Sequence, residues 1–547
     1  MSTGNHDRYI PFLVFFIIYI TTRSQNLSIT HDSAEYLLRM SLGHPDLHPN
    51  HLFYQHFLLV LSYPLRLVFS LQQSIGILGA FAGAASLQIV YNILTIRFGV
   101  LRKLAFASIC LIGFSYTIWY YSVAIEIYIY TLFFLLMAFC LLLKSQFNWK
   151  TIVLCAIFQS IAIFFHQASI LFGFVAITAI LTYQSCELST RIKMLLAYIS
   201  VGFVLVGFSY LSVAANLGKL DSPAIFLDWL IWNGNAEAAY SGFSFQNIIL
   251  VIVGFSRAVI SFCFVFVNPG VREALSSAFS KNSLNDEFYL AQFISDFTAV
   301  VLTIASLCLM VTLVWIAVKA VSSFVLDDSS RISRRELLLF LSWLLPYSLF
   351  FTVFDPSNVD FWMIQFVLIA MLLTIGLAQY KDPQSALTLV CLGAFLVCLI
   401  NGVGIVLPAR NSDSDYYHQL VNLIDNRLSE NDVLLIANTW PLTHHLGIHS
   451  DVKYITLSDS FYWDDLSIED VIGKLESVVQ SDGDLYVASD VYDIATSGTE
   501  LSGEEFPIYT RKISEGFCSG EKTTLLESWY VINVPCVQEQ MLAERAR

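Results

Sequence analysis

Charge is scarce in this sequence. Only 13% of its 547 residues are Asp, Glu, Lys or Arg, about half of what a soluble globular chain carries. The shortage excludes a soluble protein over most of the length. Apolar runs long enough to cross a bilayer recur as far as residue 407, which predicts a polytopic α-helical membrane protein. Nucleotide fingerprints are missing too: no G-x-G-x-x-G and no G-x-x-x-x-G-K-S/T follows a predicted strand. There is no C-x-x-C among the 10 cysteines, so a structural zinc site is not expected. The first apolar run, residues 9–20, is short and lacks an A-x-A-like cleavage site, so it reads as a first span that stays.

What charge there is lies unevenly. Residues 409–547 hold 9 Lys+Arg against 24 Asp+Glu, a net of −15, whereas the whole chain is −14. An acidic soluble domain (409–547) therefore follows a nearly neutral membrane domain (1–408). The acidic tail argues against nucleic acid as a partner, which would want a basic face. Cys518 and Cys536 are the tail's only cysteines and would pair in an oxidising compartment.

Basic loops set the expected topology. Arg97, Arg102 and Lys103, then Lys144 and Lys150, then the cations of 319–335 mark the cytoplasmic side. Spans are expected at 9–20, 75–96, 104–118, 126–144, two short ones within 151–185 split at His166-Gln167, 195–213, 297–318, 337–354, 361–378 and 386–407, about eleven in all. The first outer loop is 21–74, in which 52–70 lies at the membrane surface. Residues 248–267, with Arg257 inside, form a re-entrant or surface helix, because a full span would move 319–335 outside. In the tail, 433–437, 452–456, 485–488 and 530–534 read as strands and 467–479 as a helix, giving a small α/β domain.

The densest cluster of acids and imidazoles near a predicted membrane surface runs from Thr30 to His51. Asp32 and Glu35 fall on one face if the segment is helical, and a carboxylate held there can take a proton from a hydroxyl. The same pair also fits a capping box, with Asp32 as N-cap. Glu126, in Ser122-Val-Ala-Ile-Glu126-Ile-Tyr128, is costly at membrane depth unless it serves a function or a partner. His166 is a core histidine or a ligand-binding one. Arg257 snorkels or clamps a phosphate, whose oxygens a guanidinium matches bidentately.

An Asp-Ser-x-Glu element after the first span, a His-Pro segment before the next helix and a Glu-x-Tyr at a later outer turn resemble the GT-C membrane glycosyltransferases. The nearest likeness is to the protein O-mannosyltransferase-like branch, whose first outer loop reads Asp-Ser-Gly-Glu and then His-Pro-Pro-Gly. Here the elements are Asp32-Ser33-Ala34-Glu35 and His48-Pro49-Asn50-His51. The departures, Ala for Gly and Asn-His for Pro-Gly, leave the acceptor open. The resemblance implies a polyprenyl-phosphate-sugar donor reached from within the bilayer, and a protein, lipid or glycan acceptor on the non-cytoplasmic face. It implies Asp32 as general base, Glu35 and Glu126 as orienting groups and His48 on the donor head group. His51, Tyr128, His166 and Arg257 are the further substrate-binding candidates. Charge developing on the leaving phosphate calls for a cation. Arg257, Arg39, Lys219 or His166 would supply it, or else a divalent cation with Asp32 and Glu126 among its ligands. A transporter or flippase and a non-catalytic envelope-assembly protein are the competing classes. The first would favour inverted repeats, and the second would not need acids clustered behind the first span.

Overall fold

The computed structural model describes residues 9–30, 32–144, 148–183, 187–232, 242, 244–278, 289–326, 331–437, 440–462, 467–479, 484–492, 510–514, 517, 521–526 and 529–534. Cys518 and Cys536, the expected pair, lie outside them. The chain divides into two compact units, residues 1–30 with 39–414 and residues 31–38 with 415–547.

The first unit is helical. Among the described residues six of its helices are long and apolar enough to cross a membrane: Leu71–Arg97, Leu188–Asn216, Asp296–Phe324, Arg334–Phe354, Val359–Leu377 and Pro383–Ala409. Ile10–Thr21, Tyr128–Leu142, Trp149–Phe165, Gln167–Leu181 and Phe245–Val259 are shorter apolar helices. The last has 15 residues, or about 22 Å, less than a bilayer core of about 30 Å.

The expected single span at 104–118 is instead two helices, Arg102–Gly113 and Tyr116–Val123, bent by 68°. The carbonyls freed at the break are taken by side chains, which is what lets a helix break inside a packed bundle. Tyr19 donates to Gly113 O (2.8 Å), Ser115 to Ile112 O (2.6 Å) and Asn401 to Phe114 O (2.8 Å). The turn that follows is held close to Leu71–Asn92 by glycines. A Cβ at Gly79 would lie 3.1 Å from Ser122 O, and one at Gly83 would lie 2.7 Å from Ser122 Cβ.

Basic residues tie several loops together. Arg97 pairs with Glu336 at 2.5 Å, Arg331 donates to Gly99 O (2.7 Å) and Arg335 to Leu142 O (2.9 Å). Arg334–Phe354 starts there with a capping box, Ser333 and Glu336. Its 21 residues rise about 31 Å to the loop at Asp355.

Among the described residues the second unit holds a five-stranded sheet in the order β2-β1-β3-β5-β4. The strands are β1 (Val433–Ile436), β2 (Lys453–Thr456), β3 (Leu485–Ala488), β4 (Glu521–Leu526) and β5 (Trp529–Val534). β1 pairs in parallel with β2 and β3, while β5 is antiparallel to β3 and β4. β1 and β3 are buried at every position, as strands covered on both faces must be. One face packs on the helices Tyr416–Asp425 and Trp440–His449 through Leu420, Val421, Ile424, Leu442 and Leu446. The other packs on Ile468–Val479 through Val471 and Leu475.

Candidate active site

In the first unit the histidines of the first polar loop meet residues from far along the chain. His48 caps the short turn Pro49–His51, accepting at Nδ1 from Asn50 N–H at 3.2 Å. That leaves its proton on Nε2. His51 stacks on His48 with ring centroids 4.6 Å apart. The turn is pinned from outside: Tyr210 donates to Pro49 O at 2.6 Å, and Leu52 packs among Ile163, Tyr210, Val213 and Trp229. Burial holds the His51 imidazole well below its usual pKa, and the neighbouring His48 and His166 add to it. His51 is therefore neutral at pH 7 and acts through hydrogen bonds, not charge.

His166 interrupts the helical path after Trp149–Phe165, in extended backbone. Its ring lies 5.2 Å from Tyr128 and 6.0 Å from Phe361. Tyr128 opens its own helix and also neighbours Tyr121, 5.8 Å away. Tyr121 donates from its phenol to Asp360 Oδ1, and Asn358 caps the Asp360 turn by accepting from Asp360 N–H at 3.0 Å. Together Tyr128, His166, Asp360 and Phe361 line a cavity with Thr131, Ser169, Tyr347 and Phe351. Its volume of about 20 Å³ is room for a water molecule and not for a sugar. The lining combines ring faces with phenol, hydroxyl, imidazole and carboxylate, which suits a polyol.

Tyr128, His166, His48 and His51 are thus brought together in the first unit. Tyr121, Asp360 and Tyr347 complete the group and were not singled out as site residues. The signal for Asp360 was an acid beside Phe361-Trp362 in a polar loop. Nearby Asp355 has its carboxyl raised by burial, against hydrogen bonds from Ser357 and Asn358 that lower it.

Glu126 is 2% exposed in the connection just before Tyr128, and its Oε2 accepts from Ile127 N–H at 3.2 Å. It does not line the cavity. Arg257 is half-buried on Phe245–Val259, one turn beyond Gly254 on the same side. A Cβ on Gly254 would lie 2.5 Å from Pro356 O and 2.6 Å from Trp362 Nε1. This glycine lets the Arg257 helix close on the Asp360 turn.

In the second unit, Asp32 and Glu35 stand in the first turn of the helix Asp32–Ser41. Asp32 is its first helical residue, one place later than the N-cap of a capping box. It is only partly open to solvent, and Tyr36, one turn on, donates to its Oδ2 at 3.3 Å. Its pKa is pushed up to about 7, by burial first and by the charge of Glu35 second, with the Tyr36 hydrogen bond opposing. A carboxylate with a pKa near the operating pH is matched to general-base work.

Among the described residues no three His, Cys, Asp or Glu side chains are grouped so as to hold a metal ion.

No family model matches the chain, and no curated protein does. Solved structures do. ArnT from Cupriavidus metallidurans bound to undecaprenyl phosphate matches at TM-score 0.58 and 11% identity, over 98% of this chain and 99% of that one. ArnT from the same organism in the apo state follows at 0.46 and 12%, covering 96% of each chain. The Archaeoglobus fulgidus oligosaccharyltransferase AglB, in complex with an inhibitory peptide and a dolichol-phosphate, matches at 0.45 and 11%, over 97% of this chain and 75% of that one. At such identity the likeness to the first of these concerns architecture alone, and by architecture this chain is a polytopic helical membrane protein with a C-terminal α/β unit.

Proposed function

We propose that this chain transfers a sugar from a polyprenyl-phosphate donor to a hydroxyl acceptor on the non-cytoplasmic face of the membrane. The observation that carries this is the fold, shared over 98% of the chain with a protein solved with undecaprenyl phosphate bound. The residues of each unit supply compatible chemistry. The acceptor hydroxyl gives its proton to Asp32 as its oxygen bonds to the sugar's anomeric carbon. The bond from that carbon to the phosphate oxygen breaks, and its electron pair leaves with the polyprenyl phosphate. Glu35 keeps Asp32 basic enough to accept the proton. His48 and His51 hold the donor head group through hydrogen bonds from their imidazoles. Tyr128, His166 and Asp360 hold sugar hydroxyls, and Glu126 fixes the turn that presents Tyr128. The Asp32–Glu35 and His48-Pro49 elements favour the O-mannosyltransferase-like branch, so a hexosyl donor is the first to test.

The test is a panel of polyprenyl-phosphate sugars incubated with purified protein. The reading requires that at least one release free polyprenyl phosphate. A panel with none released, for protein shown to be folded, would reject it.

Two predictions follow from the assigned roles. Arg257 as phosphate clamp makes charge-assisted hydrogen bonds worth about 1.5–3 kcal/mol. Arg257→Gln should then raise the donor KM by about 10- to 150-fold, whereas Arg257→Lys should recover part of it. An unchanged KM in both would leave Arg257 a snorkelling residue. The second prediction concerns sidedness. The basic contacts at one end of Arg334–Phe354 mark the cytoplasm. A cysteine at Ser412 should therefore react with a membrane-impermeant thiol reagent added from the non-cytoplasmic side only.

A further inference from the structure

We propose that the C-terminal soluble unit is a positioning element for Asp32, acting through the seat of Leu38 on Gly447; this rests on the role given to Asp32 above. Residues 31–38 pack with 415–547, although the chain immediately before and after them packs with the membrane unit. The segment has the burial of a core helix: Ser33 and Ala34 are 1% exposed, Tyr36 2% and Leu37 5%.

Its partner is the helix Trp440–His449. A Cβ on Gly447 would stand 2.9 and 3.0 Å from the two Leu38 methyls and 3.6 Å from Leu38 Cγ. Gly447 has no positive φ to accommodate, and glycine inside a helix costs about 1 kcal/mol relative to alanine. What it provides is room for Leu38.

The platform beneath is rigid. Leu442 and Leu446 are fully buried against Leu420, Val421 and Ile424 of the neighbouring helix, and Ser450 donates to Asp425. Leu38 is six residues from Asp32, so it lies on a different face of the same helix. Seating Leu38 therefore fixes the rotation of the helix about its axis, and with it the direction of the carboxylate. Tyr36 and Glu35, which set the character of Asp32, turn with it.

The test is a bump and a compensating hole. Gly447→Val fills the seat, and Leu38→Ala in the same chain empties the opposing side. Gly447→Val should lower kcat by about tenfold or more, as expected of a reacting group moved by a fraction of an ångström to 1 Å. The donor KM should stay within about twofold, since donor binding is assigned to the membrane unit. The double variant should return to within about threefold of wild type. A second readout needs no turnover: the pH dependence of carbodiimide modification of Asp32, followed by mass spectrometry. Loosening the helix hydrates Asp32, so its midpoint should fall by about half a pH unit or more in Gly447→Val and return in the double variant. An unchanged Asp32 midpoint in folded Gly447→Val would overturn the proposal whether or not a donor has been found. So would a double variant no better than the single one. A shifted midpoint that Leu38→Ala restores would uphold it even if the transferase reading itself fails.

Discussion

Asp32→Asn should reduce turnover by about 10²–10⁴, the range a positioned general base contributes. Folding and donor binding should remain. Asparagine keeps the size of the side chain, retains an oxygen for the Tyr36 hydroxyl that sits 3.3 Å away, and cannot take a proton at neutral pH. Asp382→Asn is the control. Asp382 accepts from Ser385 N–H at the start of Pro383–Asn401, and asparagine caps a helix as well as aspartate does. The pH profile adds a signed expectation. Because the Asp32 carboxyl is pushed up to about 7, it is protonated below that value and the base is lost as pH falls. The wild-type rate should therefore fall on the acid side with a midpoint near 7. Glu35→Gln removes the neighbouring negative charge that helps raise the carboxyl, so it should carry the midpoint to lower pH. Turnover of Asp32→Asn within about threefold of wild type lies well outside the general-base range and would reduce Asp32 to a helix-terminus residue.

Gly254→Ala should destabilise the protein and cut activity, although the same change in an ordinary helix interior stabilises by about 1 kcal/mol. The sign reverses because the added Cβ would lie 2.5 Å from a backbone oxygen, Pro356 O, and 2.6 Å from Trp362 Nε1. Neither atom is the free end of a flexible chain. The Trp362 indole is itself bonded to Pro356 O at 2.9 Å, so Phe245–Val259 must back away from the turn that carries Asp360. Overpacking of this kind costs about 1–3 kcal/mol. A lower melting temperature and a loss of about tenfold or more in kcat/KM are expected, the latter because misplacement of site groups by about 1 Å is costly. A melting temperature at or above wild type would mean that the helix and the turn are not in the contact described.

The six long apolar helices were legible because a segment that crosses lipid leaves a long uninterrupted apolar signature; other expected spans, Ile10–Thr21 and Tyr128–Leu142 among them, are shorter apolar helices. The break at Phe114–Ser115 was not legible, since no proline or charge marks it. Its carbonyls are satisfied by Tyr19 and Asn401, residues that sequence proximity does not connect. In the second unit β1 and β3 were readable as continuous apolar runs. β4, Glu-Lys-Thr-Thr-Leu-Leu, was missed because it is a polar edge strand paired on one side to β5. The site divides in the same way. His48, His51 and Tyr128 could be proposed because they sit in short motifs that resemble a known pattern, and His166 because a lone histidine interrupts an apolar run. Asp360 owes its place to Tyr121, 239 positions earlier, and the seat of Leu38 to Gly447. Such pairings follow from the folded topology and leave no local pattern in the chain.

On the proposed function, sugar transfer and lipid release are one chemical event. Protein reconstituted in vesicles with a working polyprenyl-phosphate sugar and its acceptor should form one glycosylated acceptor for each polyprenyl phosphate released, and Asp32→Asn should form neither. Intact donor that crosses the bilayer with no polyprenyl phosphate set free would contradict the account and make the protein a lipid transporter.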